Sequence, residues 1–317
     1  MKIIVPRTPA LDFEFPSDVE VVTISESEEV PAEHRDAEVA VVWGMRGAIE
    51  SFVTQLPNVR WFQTLSAGPD ALLRANLRED VIITNGIHLH DRPVAEHALG
   101  LALALARQIP ECIEAQHRHE WSRELAKPHP LHEDTRVTTV VGSKVVVWGF
   151  GAIGQQIGRV FAACGSDVIG VAQSSGERAG FPVRSSSEIL EVVHDCDILV
   201  MVLPNTDTTV DALNASVLEA LPSRALIVNV GRGTTVDENA LIKALRNRQI
   251  SAAAIDVVKD EPLPADSPLW DTPNLLITPH SAGGRPDGFK DLMLHNLTAY
   301  REDRISDMQG LKRVPQA

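Results

Sequence analysis

Lys144-Val145-Val146-Val147-Trp148-Gly149-Phe150-Gly151-Ala152-Ile153-Gly154 passes from an apolar β-type run straight into a GxGxxG turn, and the residues that follow, AIGQQIGRVFAACG (152 to 165), carry helical spacing. Strand, glycine turn and helix in that order make the phosphate-binding corner of a dinucleotide fold. Gly149 allows the tight turn, Gly151 lets a pyrophosphate approach the backbone, and Gly154 lets the helix pack close to the strand. The first N–H groups of the helix, at Ala152 and Ile153, stand at the positive end of its dipole, where phosphates bind.

Downstream of this corner, apolar β runs recur at 167 to 172, 197 to 203, 225 to 230, 252 to 257 and 275 to 278. Helical patterns fall at about 152 to 163, 186 to 194, 238 to 247 and 286 to 300. Continuous apolar strands are buried on both faces, which predicts a doubly wound parallel sheet. Upstream, KIIV (2 to 5), VAVVW (39 to 43), VRWFQTL (59 to 65) and VIIT (81 to 84) predict a second, smaller α/β unit. The expected fold is therefore α/β, with two Rossmann-like or flavodoxin-like parallel-sheet domains and a cleft between them. PVAEHALGLALALAR (93 to 107) reads as a helix opened by Pro93 and apolar almost all round from Ala98 to Ala106. Such a helix lies in a domain junction, a dimer interface or simply the core. Residues 127 to 139, with Pro128 and Pro130 among polar residues and histidines, read as an irregular connection.

The 317 residues hold 29 Lys and Arg against 43 Asp and Glu, a net charge of −14, with 44% hydrophobic and 23% charged residues. That composition excludes disorder, and no apolar run is long enough for a membrane span. The acidic balance disfavours nucleic acid as a partner. Three scattered cysteines, Cys112, Cys164 and Cys196, indicate neither a disulfide framework nor a metal site. A cytoplasmic protein is expected, because the N-terminus lacks the apolar core of a secretory signal.

Ligand chemistry is expected at the C-terminal ends of the strands. An acid for the ribose should stand near Ala172, but the residues there are Gln173, Ser174, Ser175, Gly176, Glu177 and Arg178. Without an acid at the strand end, and with Ser174, Ser175 and Arg178 able to hold a 2′-phosphate, NADP(H) is favoured over NAD(H), which stays possible. Arg232 follows ALIVNV, Glu261 follows AAAIDV, and His280 follows LLIT, so all three could converge on the nicotinamide. A carboxylate beside a histidine favours the protonated ring, and an arginine offers a bidentate grip on a substrate carboxylate.

With these motifs in place, the chain resembles the D-isomer-specific 2-hydroxyacid dehydrogenases. VAEHALGLALALAR (94 to 107), GFGAIG (149 to 154), VLPNTDTT (202 to 209), NVGRG (229 to 233), DVVKDEPLP (256 to 264) and TPHSAGG (278 to 284) occur in that family's order over nearly the whole chain. The resemblance implies that His280 is the acid/base, Glu261 its partner carboxylate, and Arg232 the residue on the substrate carboxylate and carbonyl. Asp256 would contact the nicotinamide carboxamide or help set the pH response, with Leu203, Pro204, Val230 and Gly231 also on the cofactor. The loop Leu65-Ser66-Ala67-Gly68-Pro69-Asp70 corresponds to the segment whose backbone N–H groups hold the substrate carboxylate.

By the same resemblance, residues 1 to 93 and 285 to 317 form the substrate domain and 94 to 284 the dinucleotide-binding domain. A homodimer pairing through the helix at 94 to 107 is also implied. Val41-Val42-Trp43-Gly44 and LSAGPD look like the glyoxylate/hydroxypyruvate reductase branch, with a small 2-keto or 2-hydroxy acid as substrate and Trp43 able to reach its pocket. Two departures stand out: Gly231, where many members have a slightly larger residue, and the polar run His88-Leu89-His90-Asp91-Arg92. A dinucleotide-sensing corepressor and a phosphite or phosphoglycerate dehydrogenase are the rival readings on this scaffold.

Overall fold

The computed structural model describes residues 1–8, 14–25, 28–43 and 49–313. Gly44 lies outside them. The chain divides into two compact units, Met1–His90 with Arg285–Ala317, and Asp91–Gly284.

The first unit begins with β1 (Lys2–Pro6), β2 (Glu20–Ile24), β3 (Val39–Val42), α1 (Ile49–Thr54), β4 (Trp61–Thr64), α2 (Asp70–Arg74) and β5 (Ile82–Thr84). The strands lie in the order β5-β4-β3-β1-β2, all parallel, with Ile3 opposite Val21 and Val39, and Val39 opposite Trp61. Alternate residues serve opposite faces of a strand. Ile4, Ala40, Phe62 and Ile83 accordingly pack with Phe52 of α1 and Leu72 of α2, while Ile3, Val39, Val41, Trp61 and Ile82 build a separate cluster on the other face. The sequence reading did not anticipate β2, whose outward residues leave it without a continuous apolar run.

The second unit opens with α3 (Asp91–Ala106) and α4 (Ile109–His117), then residues 118–143 run without helix or strand. The helix starts two residues before the expected Pro93. Proline is tolerated there because first-turn N–H groups have no partner within the helix. Then come β6 (Lys144–Trp148), α5 (Ala152–Ala163), β7 (Asp167–Ala172), β8 (Gly176–Arg178), β9 (Phe181–Ser185), α6 (Ile189–Val193), β10 (Ile198–Met201), α7 (Ala215–Ala220), β11 (Leu226–Asn229), α8 (Glu238–Arg246), β12 (Ala252–Ile255) and β13 (Leu275–Ile277). The sheet order is β13-β12-β11-β10-β6-β7-β9-β8, parallel except for β8. From β6 the chain winds outward to β7 and β9, then returns to the other side of β6 as β10 to β13. The glycine turn after β6 therefore sits at the switch point, where open α/β sheets bind ligands. One face packs α7 and α8 through Val217, Leu218, Leu241 and Leu245; the other packs α3 and α5 through Ala98, Leu101, Ile157 and Phe161.

The chain finally returns to the first unit with α9 (Phe289–Arg301) and β14 (Leu311–Arg313), the latter antiparallel to β5. Phe289, Leu292, Met293 and Leu297 of α9 cover the second face of that sheet. Both sheets are parallel, as expected, apart from one antiparallel edge strand each, β14 and β8. No helix among the described residues is long and apolar enough to cross a membrane.

Candidate active site

The glycine corner fits a pyrophosphate. Gly149 has φ +108°, and a Cβ on it would lie 2.6 Å from the Val202 carbonyl oxygen; a Cβ on Gly154 would lie 2.3 Å from the Gly149 oxygen. At Gly151 nothing stands within 4 Å of a Cβ position, so this glycine, the N-cap of α5, faces open space. Beyond β7, Gln173, Ser174 and Ser175 are exposed. Arg178 reaches back from β8, with Nη2 donating to Ser174 Oγ at 2.8 Å and Nη1 to the Phe150 carbonyl at 3.4 Å. The guanidinium therefore links the turn after β7 to the glycine turn after β6.

Arg232, Glu261 and His280 lie just past the C-terminal ends of the adjacent strands β11, β12 and β13. His280 Nδ1 meets Glu261 Oε2 at 2.7 Å, with the side chains 30% and 23% exposed. An ionised carboxylate only accepts, so Nδ1 carries the proton of this bond. His280 adopts φ +51°. This left-handed conformation is held by its backbone N–H, which donates to the Asp256 and Thr278 carbonyls at 2.8 and 3.0 Å. Arg232 is fixed at its backbone: its carbonyl accepts from Asn229 Nδ2, Thr235 Oγ1 and the Thr235 N–H, while Asn229 Oδ1 accepts from the Gly231 N–H.

Gly231 now has a physical reason. A Cβ there would lie 2.7 Å from Leu203 N and 2.8 Å from Leu203 O, so the turns after β10 and β11 touch through backbone alone. Leu203 and Val230 are buried beside this contact and Pro204 is exposed.

Asp256 is 1% exposed. Its Oδ1 accepts from Thr278 Oγ1 at 2.5 Å and the Ser281 N–H at 2.9 Å, and its Oδ2 from the Ala282 N–H at 3.0 Å. His97 Nε2, from α3, lies 3.3 Å from the same carboxylate and 3.1 Å from Thr278 Oγ1. Burial, the largest single influence, works to raise the carboxyl pKa, but the bonds from His97, Thr278, Ala282 and Ser281 together outweigh it and hold the pKa below the ordinary value. In the sequence, His97 stands out only as one residue of the helical stretch 93 to 107. A lone histidine on an apolar helix gives no signal of a partner that lies 159 residues further on in the chain.

Trp43 and Ser66, Ala67 and Gly68 belong to the first unit, at the ends of β3 and β4. Trp43 is half-buried and packs on the cluster containing Val5, Val41 and Leu65. The Ala67 and Gly68 N–H groups have no acceptor among the described residues.

A doubly wound sheet with this glycine corner at its switch point defines a dinucleotide-binding fold. The chain belongs to the D-isomer specific 2-hydroxyacid dehydrogenase family, whose NAD binding domain matches residues 99–282. It is 30% identical to the D-3-phosphoglycerate dehydrogenase of Methanocaldococcus jannaschii over 86% of this chain and 51% of that protein, so it spans about half the length of that relative. The crystal structure of a D-isomer specific 2-hydroxyacid dehydrogenase family protein from Aeromonas salmonicida is similar at TM-score 0.82 and 29% identity, covering 98% of both chains. An NADPH-dependent glyoxylate/hydroxypyruvate reductase from Sinorhizobium meliloti, solved with NADP and malonate, matches at TM-score 0.77 and 28% identity over 99% of both chains.

Proposed function

We propose that the protein is a D-2-hydroxyacid dehydrogenase that reduces a small 2-keto acid of the glyoxylate or hydroxypyruvate type, with NADP(H) preferred. The observation that carries this reading is the 2.7 Å His280–Glu261 pair past the C-terminal strand ends of the same sheet whose β6 leads into the glycine corner. When bound at the glycine corner, NADPH would supply the hydride for the carbonyl carbon. His280, oriented by Glu261, delivers a proton from Nε2 to the carbonyl oxygen, giving the 2-hydroxy acid. Arg232 offsets the charge that develops on that oxygen. Asp256 has one bonded donor on Oδ2 against several on Oδ1, so Oδ2 keeps acceptor capacity for the nicotinamide carboxamide. Ser174, Ser175 and Arg178 take the 2′-phosphate. The NADP-bound relative from Sinorhizobium meliloti supports the same preference.

In this reading residues 94 to 284 bind the dinucleotide, and residues 1 to 93 with 285 to 317 bind the substrate carboxylate, with Trp43 beside it. The working form is a cytoplasmic homodimer joined through the helix at 94 to 107. Half-buried Leu99, Leu103 and Leu105 on α3 and exposed Ile109 and Ile113 on α4 support that face. Sedimentation at micromolar concentration should give twice the 34.5 kDa chain mass, and a monomer overturns the dimer.

The test is an initial-rate panel at 340 nm with NADPH or NADH against glyoxylate, hydroxypyruvate, pyruvate and phenylpyruvate. NADPH turnover with a short keto acid is expected. Absence of turnover with all four overturns the activity, and equal use of NADH overturns the phosphate site.

A further inference from the structure

Three consecutive carbonyls of the loop after β4 are each gripped from the segment that follows β5. His90 Nε2, in a ring 5% exposed, lies 2.6 Å from the Leu65 oxygen. The Gly86 N–H donates to the Ser66 oxygen at 2.9 Å. Asn85 Nδ2 donates to the Ala67 oxygen. In a trans peptide the C=O and N–H of one plane point in opposite directions. Tying down the Ser66 oxygen therefore turns the Ala67 N–H outward, and tying down the Ala67 oxygen does the same for the Gly68 N–H. These are the two N–H groups of the loop that have no acceptor among the described residues.

The grips are themselves held. A Cβ on Gly86 would lie 1.9 Å from the Leu65 oxygen, so only glycine lets the two loops approach this closely. Asn85 is 5% exposed; its N–H donates to the Gly310 oxygen at 2.9 Å, and its carbonyl accepts from Gln63 Nε2 at 3.1 Å. Gln63 Oε1 accepts from Thr84 Oγ1 at 2.8 Å and from Asn296 Nδ2, on α9, at 2.9 Å. A buried polar chain thus runs from the C-terminal helix to the loop. Among the described residues Asn85 Oδ1 has no hydrogen-bond partner, so the chain holds the loop through Asn85 Nδ2 and the Asn85 backbone.

We propose that Asn85 and His90 are positioning residues that preset the Leu65–Gly68 loop, turning the Ala67 and Gly68 N–H groups into a fixed receptor for the carboxylate of the substrate. The inference rests on the proposed activity for what the loop receives, and on this geometry alone for how the loop is held. It also gives the polar run at 88 to 92 a purpose, since His90 is its buried polar member.

The test pairs kinetics with amide spectra of the NADPH-bound protein. Asn85→Asp replaces the donor with a carboxylate oxygen of the same shape, and Asn85→Ser, too short to reach, serves if the acid unfolds the chain. His90→Phe removes the ring donor, and His90→Gln keeps one. KM for glyoxylate should rise about tenfold or more in the Asn85 variants and less in His90→Phe. Near-normal KM in His90→Gln is expected, with kcat and NADPH affinity close to wild type in every variant that folds. A failed activity shows as absent turnover in the wild type. The clamp is then read separately: titration with glyoxylate or malonate should shift the Ala67 and Gly68 amide signals in the wild type and shift them only at higher concentration in Asn85→Asp or Asn85→Ser. Equal shifts and affinity in wild type and folded variants overturn the proposal, as does a wild type whose two amides do not respond.

Discussion

The two units present strand ends of the same kind but arm them differently. In Asp91–Gly284 the atoms proposed to act belong to side chains: the His280 ring, which meets Glu261, the Arg232 guanidinium, which donates to the Gly231 carbonyl, and the Asp256 carboxylate, which accepts from the Ala282 N–H. In the unit containing β1 to β5 the loop after β4 offers backbone N–H groups, and the side chains Asn85 and His90 act only by fixing peptide planes. A side-chain site can be emptied by one substitution at the residue that does the chemistry. A backbone site tolerates changes in its own side chains and is sensitive to residues elsewhere that grip it.

The largest effect that would sharpen this contrast is His280→Ala. Losing a positioned acid typically costs about 10²- to 10⁴-fold, so turnover should fall by that order while NADPH affinity, read by fluorescence titration, stays unchanged. Unchanged turnover would remove His280 from the chemistry. Next comes Arg178→Ala, which deletes a charge-assisted contact. KM for NADPH should rise roughly 10- to 100-fold with little change for NADH, and a parallel loss with both cofactors would break the 2′-phosphate assignment.

Asp256→Asn tests the side-chain site through stability. The carboxyl pKa is lowered in the folded protein, so its stabilisation is present above the unfolded value of about 3.9 and is lost as pH falls through the folded value. The amide variant should be less stable by about 1 to 3 kcal/mol near neutrality, because an NH2 meets donors already in place. Its denaturant midpoint should also depend less steeply on acid pH than that of the wild type. Ser66→Ala is expected to have the smallest effect. With no hydroxyl partner among the described residues, it should change KM for glyoxylate by less than about threefold, near the ±0.5 kcal/mol of an ordinary surface change. A larger loss would mean that the loop works through its side chain after all.

Legibility in the sequence followed the same division. The strand–turn–helix at 144 to 163 was readable to the residue, because its apolar run and its glycines answer to local geometry. Arg232, Glu261 and His280 were readable because each ends an apolar run. By contrast, β8 was invisible: Gly176-Glu177-Arg178 has no β pattern and is a strand only because β9 pairs with it. The early start of α3 at Asp91 and the edge strand β2 escaped for similar reasons, since neither is marked by an apolar repeat.

The sequence by itself determined the doubly wound core, the phosphate corner and the side chains at the strand ends, since those depend on periodicity, glycine conformations and residue chemistry within short segments. Only the tertiary structure decided that His97 meets Asp256, that Gly231 lies against the Leu203 backbone, and that Asn85 and His90 grip the loop after β4. Each of these is a contact between segments distant in the chain. A buried donor finds its acceptor through the way sheets and helices stack, and no local pattern encodes that pairing.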